Sequence, residues 1–212
     1  MTRSLELELM DSPEVNGAVL ERFHRDLETV HKLLGTFRTI ERFIRRDNKP
    51  IRRVLDVGCG SGALLRYLKH RMGVEVIGVD LKPGASNGIP LIVGDAVRDP
   101  LPEADVAVSS LVAHHLTPEQ IVQMIHNVGL SCRRFVIHDL VRDWMPLVLF
   151  SVFIGPVIGG EARLDGRQSI RRAYTAKELS ALVREALSSA RGAFSIDVSP
   201  IKSRQIIDVR FE

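Results

Sequence analysis

The residues best suited to chemistry in this chain of 212 residues lie around three glycines at alternate positions. Residues 54–57 have the composition of a buried strand, and Gly58, Gly60 and Gly62 follow directly. Over residues 63–72, leucines and a methionine recur at helical spacing. Glycine lets a ligand approach the main chain closely, and a helix N-terminus attracts polar ligand groups. The segment therefore predicts a strand, a binding loop and a helix.

Three acidic residues accompany successive predicted strands. Asp56 lies in the first strand, Asp80 ends a second buried strand at 74–79, and Asp95 lies in a Gly-Asp-Ala sequence that ends a third. Asp80 is placed as the ribose-binding acid is in nucleoside-binding βαβ units. The Gly-x-Gly-x-Gly spacing differs from the Gly-x-Gly-x-x-Gly of dinucleotide folds, which argues against a nicotinamide-dependent reductase. The alternative for Asp95 is an acid that caps a loop.

This combination resembles the S-adenosylmethionine (SAM) site of the class I methyltransferases. The resemblance implies that Asp56 helps to hold the methionine ammonium and that the three glycines shape the floor beneath it. It also implies that Asp80 takes the ribose hydroxyls, that Asp95 accepts from the adenine amino group, and that the N–H of Ala96 meets an adenine ring nitrogen. The expected cofactor is SAM, with S-adenosylhomocysteine (SAH) as the product. The expected contacts are Asp56, Gly58, Cys59, Gly60, Gly62, Asp80, Leu81, Asp95, Ala96 and Ser109.

Two adjacent histidines follow a fourth predicted strand at 104–110. His114 and His115 lie where the crevice of an open α/β sheet is expected. A neutral imidazole can remove a proton from an acceptor hydroxyl, so both are catalytic candidates, with His115 preferred. The alternative is that they pack against the cofactor without taking part in chemistry. Thr117 and Gln120 then predict a capping box and a helix that stops at Gly129.

A fifth predicted strand, 134–140, ends in His138 and Asp139. These residues either line the substrate side, with Asp139 orienting His115 or His138, or cap the next helix. The chain closes with two predicted strands, 194–198 and 205–211, which fit an antiparallel hairpin. The expected fold is α/β, with a Rossmann-like, seven-stranded, mostly parallel sheet, an antiparallel C-terminal strand and an N-terminal helical cap.

Apolar residues recur at helical spacing over 20–37, and Gly35 is predicted to divide this helical region. Part of it, 26–35, resembles the N-terminal cap of a bacterial subgroup of small-molecule methyltransferases, some of them encoded beside polyketide synthases. In that subgroup the cap walls the substrate pocket, so His31 and Lys32 are pocket candidates, with a surface location as the alternative. We therefore expect a cap at 1–50 and a SAM-binding domain at 51–212.

An uncharged apolar run extends over 144–160 and contains Pro146 and Pro156. Its roughly 17 residues are fewer than the roughly 20 that a membrane-spanning helix needs. We interpret it as a lid or pocket wall within an insertion at 141–173, broken by its prolines into short helical pieces. A core helix, a dimer interface and shallow membrane association are the alternatives. Further on, Arg171 or Arg172 either meets an anionic substrate group or is solvated.

Composition limits the remaining function classes. A hydrophobic content of 45% in 212 residues suits one α/β domain. Cys59 and Cys132 show neither metal-ligand spacing nor a disulfide framework, so we expect no metal site and a cytoplasmic location. The first ten residues carry acids where a signal peptide would be apolar. The formal charge is +3, and basic residues between 22 and 53 alternate with acids, which favours a solvated helical face over a nucleic-acid groove.

The expected activity is SAM-dependent methylation of a small, apolar or aromatic, hydroxylated acceptor, most simply on oxygen. The alternatives are a SAM-binding protein without transferase activity and a methyltransferase that acts on a macromolecule. We expect no nucleic-acid partner and no transmembrane span, while peripheral membrane contact stays open. The chain is expected to be a monomer or a homodimer.

Overall fold

A computed structural model describes residues 1–9, 22, 25–31, 34–84, 88–188 and 191–212. Seven strands form one sheet: β1 (Arg53–Val57), β2 (Glu75–Asp80), β3 (Leu91–Val93), β4 (Val106–Ser110), β5 (Arg134–Leu140), β6 (Gly192–Val198) and β7 (Arg204–Phe211). Their order is β3-β2-β1-β4-β5-β7-β6. The pairs among β1 to β5 are parallel, and β7 runs antiparallel to both β5 and β6. The predicted fold class, with its antiparallel C-terminal strand, is confirmed.

Helices cover both faces of the sheet: α1 (Thr36–Ile44), α2 (Ala63–Met72), α3 (Pro118–Ser131), α4 (Trp144–Leu149), α5 (Gly160–Arg172) and α6 (Ala176–Ala186). Residues 25–31 are also helical. One apolar cluster packs α3 and α6 against the sheet, and the other packs α1 and α2. Along β1, Leu55 and Val57 face the first cluster while Val54 faces the second, because successive side chains of a strand point to opposite faces.

The capping box predicted at the start of α3 forms, but the predicted end of that helix is wrong. Thr117 and Gln120 make a reciprocal capping box at the start of α3. The helix continues to Ser131, two residues beyond its predicted stop at Gly129. A Cβ at Gly129 would lie 2.9 Å from the Phe211 ring. This glycine therefore allows α3 to pack closely on β7 and does not end the helix.

The third strand stops before the Gly-Asp-Ala sequence that was predicted to end it. It ends at Val93 because Asp95 begins a turn. The Asp95 Oδ1 accepts from the backbone N–H of Val97 at 2.9 Å, and its carbonyl accepts from those of Arg98 and Asp99. Asp95 thus lies just beyond the strand, at its carboxyl end.

The N-terminal cap is divided at Gly35, as predicted. Gly35 has a φ of 62° and immediately precedes α1. The other end of α1 is held by the buried Arg134, which donates to the carbonyls of Phe43 and Ile44 and pairs with Asp208 at 2.7 Å. A cation there is favourable because carbonyls at a helix C-terminus carry partial negative charge. Lys32, a predicted pocket candidate, lies outside the described residues.

The apolar run after β5 forms α4, a π-helical turn at Phe150–Ile154 and a 3-10 turn at Gly155–Val157. Within 144–157, only Pro146 and Gly155 are buried, whereas Trp144 and Phe153 are 67% and 66% exposed. The alternative of an ordinary core helix is therefore wrong. Among the described residues, no helix is both long and apolar enough to cross a membrane.

Candidate active site

One cavity of about 860 Å³ opens where the parallel strands end. Its polar part is formed by the glycine loop after β1 and by acids at the ends of the first three strands. Its apolar part is formed by the cap, the π-helical turn and α5. The residues that line the cavity include Glu8, His31, Asp56, Gly58, Cys59, Gly60, Asp80, Leu81, Asp95, Ala96, Ser110, His114, His115, His138, Leu149, Phe150, Phe153 and Ile154.

The loop after β1 needs glycine for two different reasons. Gly58 has a φ of 75°, and a Cβ there would overlap the Cγ2 of Val112. Gly60 has a φ of 51° and lies in the cavity wall. Gly62, a predicted cofactor contact, is absent from the lining residues and precedes α2 with a φ of 69°. Gly62 therefore serves to start α2 and does not contact the cavity. Cys59 lines the cavity, and burial raises the pKa of its thiol.

Asp56 is the least solvated acid of the cavity. It is 2% exposed, and its Oδ1 has no hydrogen-bond partner within the described part of the chain. Burial, together with the nearby charge of Asp80, raises the pKa of Asp56 to about 8. A buried carboxyl without a partner is costly to ionise. A ligand ammonium placed beside it would favour the carboxylate and supply the missing partner.

This pKa predicts a pH-dependent stability. The ordinary pKa of 3.8 applies in the unfolded chain, so between that value and about 8 the folded chain binds more protons. The free energy of unfolding should therefore fall as the pH rises through this range. Urea unfolding of the parent chain and of Asp56→Asn at pH 5, 6.5 and 8 measures the effect. The parent should lose stability relative to the variant as the pH rises, and a constant difference would show that Asp56 ionises normally.

Asp80 is held by the loop that it faces. Its Oδ2 accepts from the N–H of Gly60 and its Oδ1 from that of Lys82, both at 2.8 Å. A carboxylate has about four acceptor positions, so two remain for ligand hydroxyls. Leu81 lies beside it, 67% exposed, at the cavity mouth. Asp95 also keeps acceptor capacity, since its Oδ2 lies 3.8 Å from the Arg98 Nε, beyond hydrogen-bond distance.

Ser109 does not reach the cavity, contrary to the prediction that it contacts the cofactor. It is buried in β4 and is absent from the lining residues. The neighbouring Ser110 faces the cavity instead, because side chains alternate along a strand. Its hydroxyl lies 3.1 Å from the Nδ1 of His138. Burial lowers the pKa of His138 to about 3, so this ring is neutral near pH 7.

His114 and Asp139 form a buried pair. The Asp139 Oδ1 lies 2.7 Å from the His114 Nδ1, and its Oδ2 accepts from the His114 backbone N–H at 2.9 Å. Burial alone would raise the pKa of Asp139, but His114 and the hydrogen bonds hold it below its ordinary value. The carboxylate thus favours a proton on Nδ1, which leaves Nε2 as an acceptor whenever the ring carries one proton. The prediction that Asp139 orients His115 or His138 is wrong, since its partner is His114.

The first nine residues lie across this site. Arg3 donates to the carbonyls of His114 and Leu116 and stacks 4.0 Å from the centre of the Tyr174 ring. The backbone N–H of Leu9 donates to Asp165 at 2.9 Å. Between these anchors, Glu8 is buried in the cavity wall. We call residues 1–9 the N-terminal strap.

Glu8 is the site residue that sequence reasoning missed. Its Oε1 lies 3.7 Å from the Nε2 of His114, and its Oε2 lies 3.9 Å from the Nε2 of His115. The sequence offers no signal for this contact, because the acids of 1–10 only argue against a signal peptide. Arg172, predicted to meet a substrate anion or solvent, instead lies 3.8 Å from Glu8, while Arg171 is exposed.

His31 comes from the cap and lines the cavity, the location that its prediction as a pocket candidate requires. Its ring stacks on Phe37 with centroids 5.0 Å apart. Burial lowers the pKa of His31 to about 4, so it presents a neutral ring. The cap therefore contributes largely apolar and aromatic surface here.

Comparison with known proteins agrees with this geometry. Residues 55–130 match the family model described as a methyltransferase domain. Over 76 residues the chain is 43% identical to trans-aconitate 2-methyltransferase from Mycobacterium tuberculosis strain H37Ra, a match covering 32% of this chain and 28% of that enzyme. Over 107 residues it is 30% identical to a probable chloroplastic tocopherol O-methyltransferase from Oryza sativa, covering 43% and 29%. The matched part spans less than a third of these curated relatives.

Solved structures match over a longer range. The plantazolicin methyltransferase BpumL, crystallised with a monoazolic desmethylPZN analog and SAH, superposes with a TM-score of 0.72. Identity is 14%, and the match covers 92% of this chain and 91% of that one. The methyltransferase SibL in its apo form gives 0.64 at 17% identity, covering 93% and 60%. These likenesses show the fold of SAM-dependent methyltransferases.

Proposed function

We propose that this chain, a class I methyltransferase by its fold and by its methyltransferase domain at 55–130, binds SAM and methylates a hydroxyl of a small, largely apolar acceptor. One observation carries the proposal. The buried Asp56 carboxyl, with an Oδ1 that lacks a partner among the described residues, faces the same cavity as Asp80, Asp95 and the glycine loop. A ligand with an ammonium, a ribose and a base meets all of these groups at once.

The residues present fit SAM chemically. Gly58 and Gly60 lie in the cavity wall, where the lack of a side chain lets a ligand approach the main chain, and Val112 packs so closely on Gly58 that a Cβ would overlap it. Asp56 would hold the ammonium, Asp80 the ribose hydroxyls and Asp95 the adenine amino group. SAM supplies an electrophilic methyl group on a positively charged sulfur. The protein's part is to align two reactants and exclude water, an effect that reaches roughly 7 to 11 kcal/mol.

The acceptor class follows from the other half of the cavity. Leu149, Phe150, Phe153 and Ile154 line it beside the histidines. Burying one such side chain is worth roughly 1.5 to 3 kcal/mol, so a few contacts suffice for micromolar binding. The Phe150 ring lies where a Cβ of Gly166 would be, which packs the π-helical turn directly on α5. The strap and this turn enclose a space for a small acceptor more readily than for a macromolecule.

We favour oxygen as the acceptor atom because side chains that can accept a hydroxyl proton lie next to this apolar wall. His114 has its Nδ1 bound by Asp139, so its Nε2 is an acceptor for a hydroxyl proton. His115 and Glu8 add two more basic groups within 4.8 Å. One curated relative is named as an O-methyltransferase, which agrees with this chemistry.

Calorimetry with SAM, SAH and NADH tests the cofactor first. We expect SAM and SAH to bind and NADH not to bind. A mass-spectrometric screen of phenols, hydroxyquinones and polyketide-like compounds with SAM then tests the transfer, by a gain of one methyl group. Failure to bind SAM would overturn the proposal, and binding without turnover across acceptors would indicate a SAM-binding protein without transferase activity.

Two glycines provide a matched test of the loop. Gly58 and Gly73 both have positive φ angles, 75° and 67°, so alanine is strained at either position. Only at Gly58 would the added Cβ meet another side chain, since nothing lies within 4 Å at Gly73. We expect Gly58→Ala to weaken SAM binding at least roughly tenfold, measured by calorimetry, because the loop must shift. Gly73→Ala should bind SAM as the parent does. Equal SAM affinities in the two variants would show that the glycine loop does not contact SAM.

A further inference from the structure

Three donor atoms converge at the border between the two halves of the cavity. Glu8, His114 and His115, here called the Glu8 cluster, each offer one oxygen or nitrogen atom, all within 4.8 Å of one another. The carboxylate of Glu8 is bracketed by the two Nε2 atoms, at 3.7 Å and 3.9 Å. The imidazole rings lie 4.2 Å apart between centroids. The cluster joins the strap to the turn after β4.

Asp139 fixes the orientation of the His114 ring from the side opposite Glu8. Asp139 lies 2.7 Å from the Nδ1, so the opposite ring nitrogen, Nε2, faces Glu8. A carboxylate that holds the far nitrogen of an imidazole is the usual support of a metal-binding histidine, because it fixes the ring and raises its basicity. A lone pair aimed at a carboxylate is unfavourable unless a cation or a proton lies between them.

Other groups also contact Glu8, and they leave its inner side facing the histidines. Ser169 donates to the Oε2 at 2.7 Å, and the guanidinium of Arg172 lies 3.8 Å from the Oε1. Arg172 donates in turn to the carbonyl of His115 at 3.2 Å. These contacts position the carboxylate much as outer groups position a metal ligand.

We propose that the Glu8 cluster binds a divalent transition-metal ion of the Zn²⁺, Fe²⁺ or Co²⁺ class, which would hold and activate the acceptor oxygen. The role of this ion in methyl transfer rests on the proposed function. Its binding does not, because it can be measured without SAM or an acceptor. Two imidazoles and one carboxylate suit these ions, whereas Mg²⁺ and Ca²⁺ prefer oxygen ligands alone. Bonds of about 2.0 to 2.2 Å require donors roughly 3.3 Å apart. The donor atoms of the cluster lie within 4.8 Å of one another, so they must move closer by up to about 1.5 Å when an ion binds.

Such a site fits oxygen methylation. Three protein ligands leave coordination positions for the oxygens of an acceptor in the cavity, and two adjacent oxygens, as in a catechol or a hydroxyquinone, would fill them best. The metal lowers the pKa of the bound hydroxyl, whose proton passes to solvent. The oxygen then bonds to the methyl carbon as the carbon–sulfur bond breaks, and that bond's electron pair stays on sulfur. The acceptor class is thereby narrowed to compounds with neighbouring oxygens.

The test uses the full chain, freed of metal by a chelator, without SAM. Titration with Co²⁺ should give visible absorption bands that saturate at about one ion per chain, and Zn²⁺ should displace it, whereas Mg²⁺ should have no effect. Glu8→Gln and His115→Ala should each weaken Co²⁺ binding at least roughly tenfold, and Asp139→Asn should weaken it by roughly 10- to 100-fold. His126→Ala is the matched control, since His126 instead approaches the Ala186 carbonyl at 2.7 Å.

Two results would overturn the metal site. One is no saturable Co²⁺ or Zn²⁺ binding by correctly folded parent protein, and the other is binding that Glu8→Gln and His115→Ala leave unchanged. SAM binding by the metal-free protein is measured separately by calorimetry. If SAM binds and Co²⁺ does not, the metal site fails while the proposed function stands. If Co²⁺ binds and SAM does not, the proposed function fails.

Discussion

Asp56→Asn is expected to weaken SAM binding by roughly 30-fold or more, because it removes one partner of a buried charge pair, a change worth about 2 to 5 kcal/mol. Asparagine has nearly the same shape, so the cavity keeps its form. In the parent chain a bound ammonium would convert a carboxyl of pKa about 8 into a paired carboxylate. In the variant the ammonium meets a neutral amide. Calorimetric titration with SAM at pH 7.5 measures the loss.

The control for this prediction is Asp197→Asn. Asp197 is an exposed residue on β6 and is not among the lining residues, so Asp197→Asn makes the same side-chain replacement without touching the cavity. It should leave SAM affinity unchanged. Circular dichroism and the urea midpoint should show both variants folded. SAM affinity within threefold of the parent in folded Asp56→Asn would place the ammonium elsewhere.

His114→Gln is expected to lower the turnover number by roughly 10²- to 10⁴-fold, the usual contribution of a positioned proton acceptor or of the metal that replaces it. The residue is buried against Asp139, and the glutamine amide can still donate to that carboxylate but has no basic nitrogen. SAM affinity should change little, since His114 contacts the acceptor side. Steady-state kinetics with the acceptor found in the screen, over pH 6 to 9, measures the effect.

His126→Gln serves as the control for turnover. His126 is on α3, and its Nε2 lies 2.7 Å from the Ala186 carbonyl, away from the cavity lining. Its replacement should leave both the turnover number and the SAM affinity at parental values. Full turnover in folded His114→Gln would mean that alignment of the reactants alone is sufficient. The same result with His115→Gln would remove both histidines from proton transfer.

Features set by the local chain could be predicted from the sequence. The glycine loop and the capping box of α3 depend on backbone conformations and hydrogen bonds among residues close in sequence, and each strand is marked by its own run of apolar residues. The order of strand, acid and loop also predicted that Asp56, Asp80 and Asp95 would face one cavity. Carboxyl ends of neighbouring parallel strands meet at one edge of a sheet, so this outcome follows from topology.

Side-chain direction at the end of a strand required the structure. Ser109 and Ser110 are chemically identical neighbours. A shift of the strand register by one residue would turn the cavity-facing side chain to the core and the core-facing one to the cavity. Only the pairing of Ser109 with Ile137 and of Ser110 with His138 decides which serine lines the site. Gly129 is similar, because a helix stop and a close helix–strand contact call for the same residue.

The Glu8 cluster depended wholly on tertiary structure. Its three residues come from the strap and from the turn after β4, and the strap is held by hydrogen bonds to α5 and to that turn. No periodicity or spacing joins segments so far apart in the chain. Sequence order dictated where the strands and their acids lie, because those interactions are local or repeat along a sheet. Packing alone decided which carboxylate reaches which histidine, because that depends on where a long-range segment docks on the finished fold.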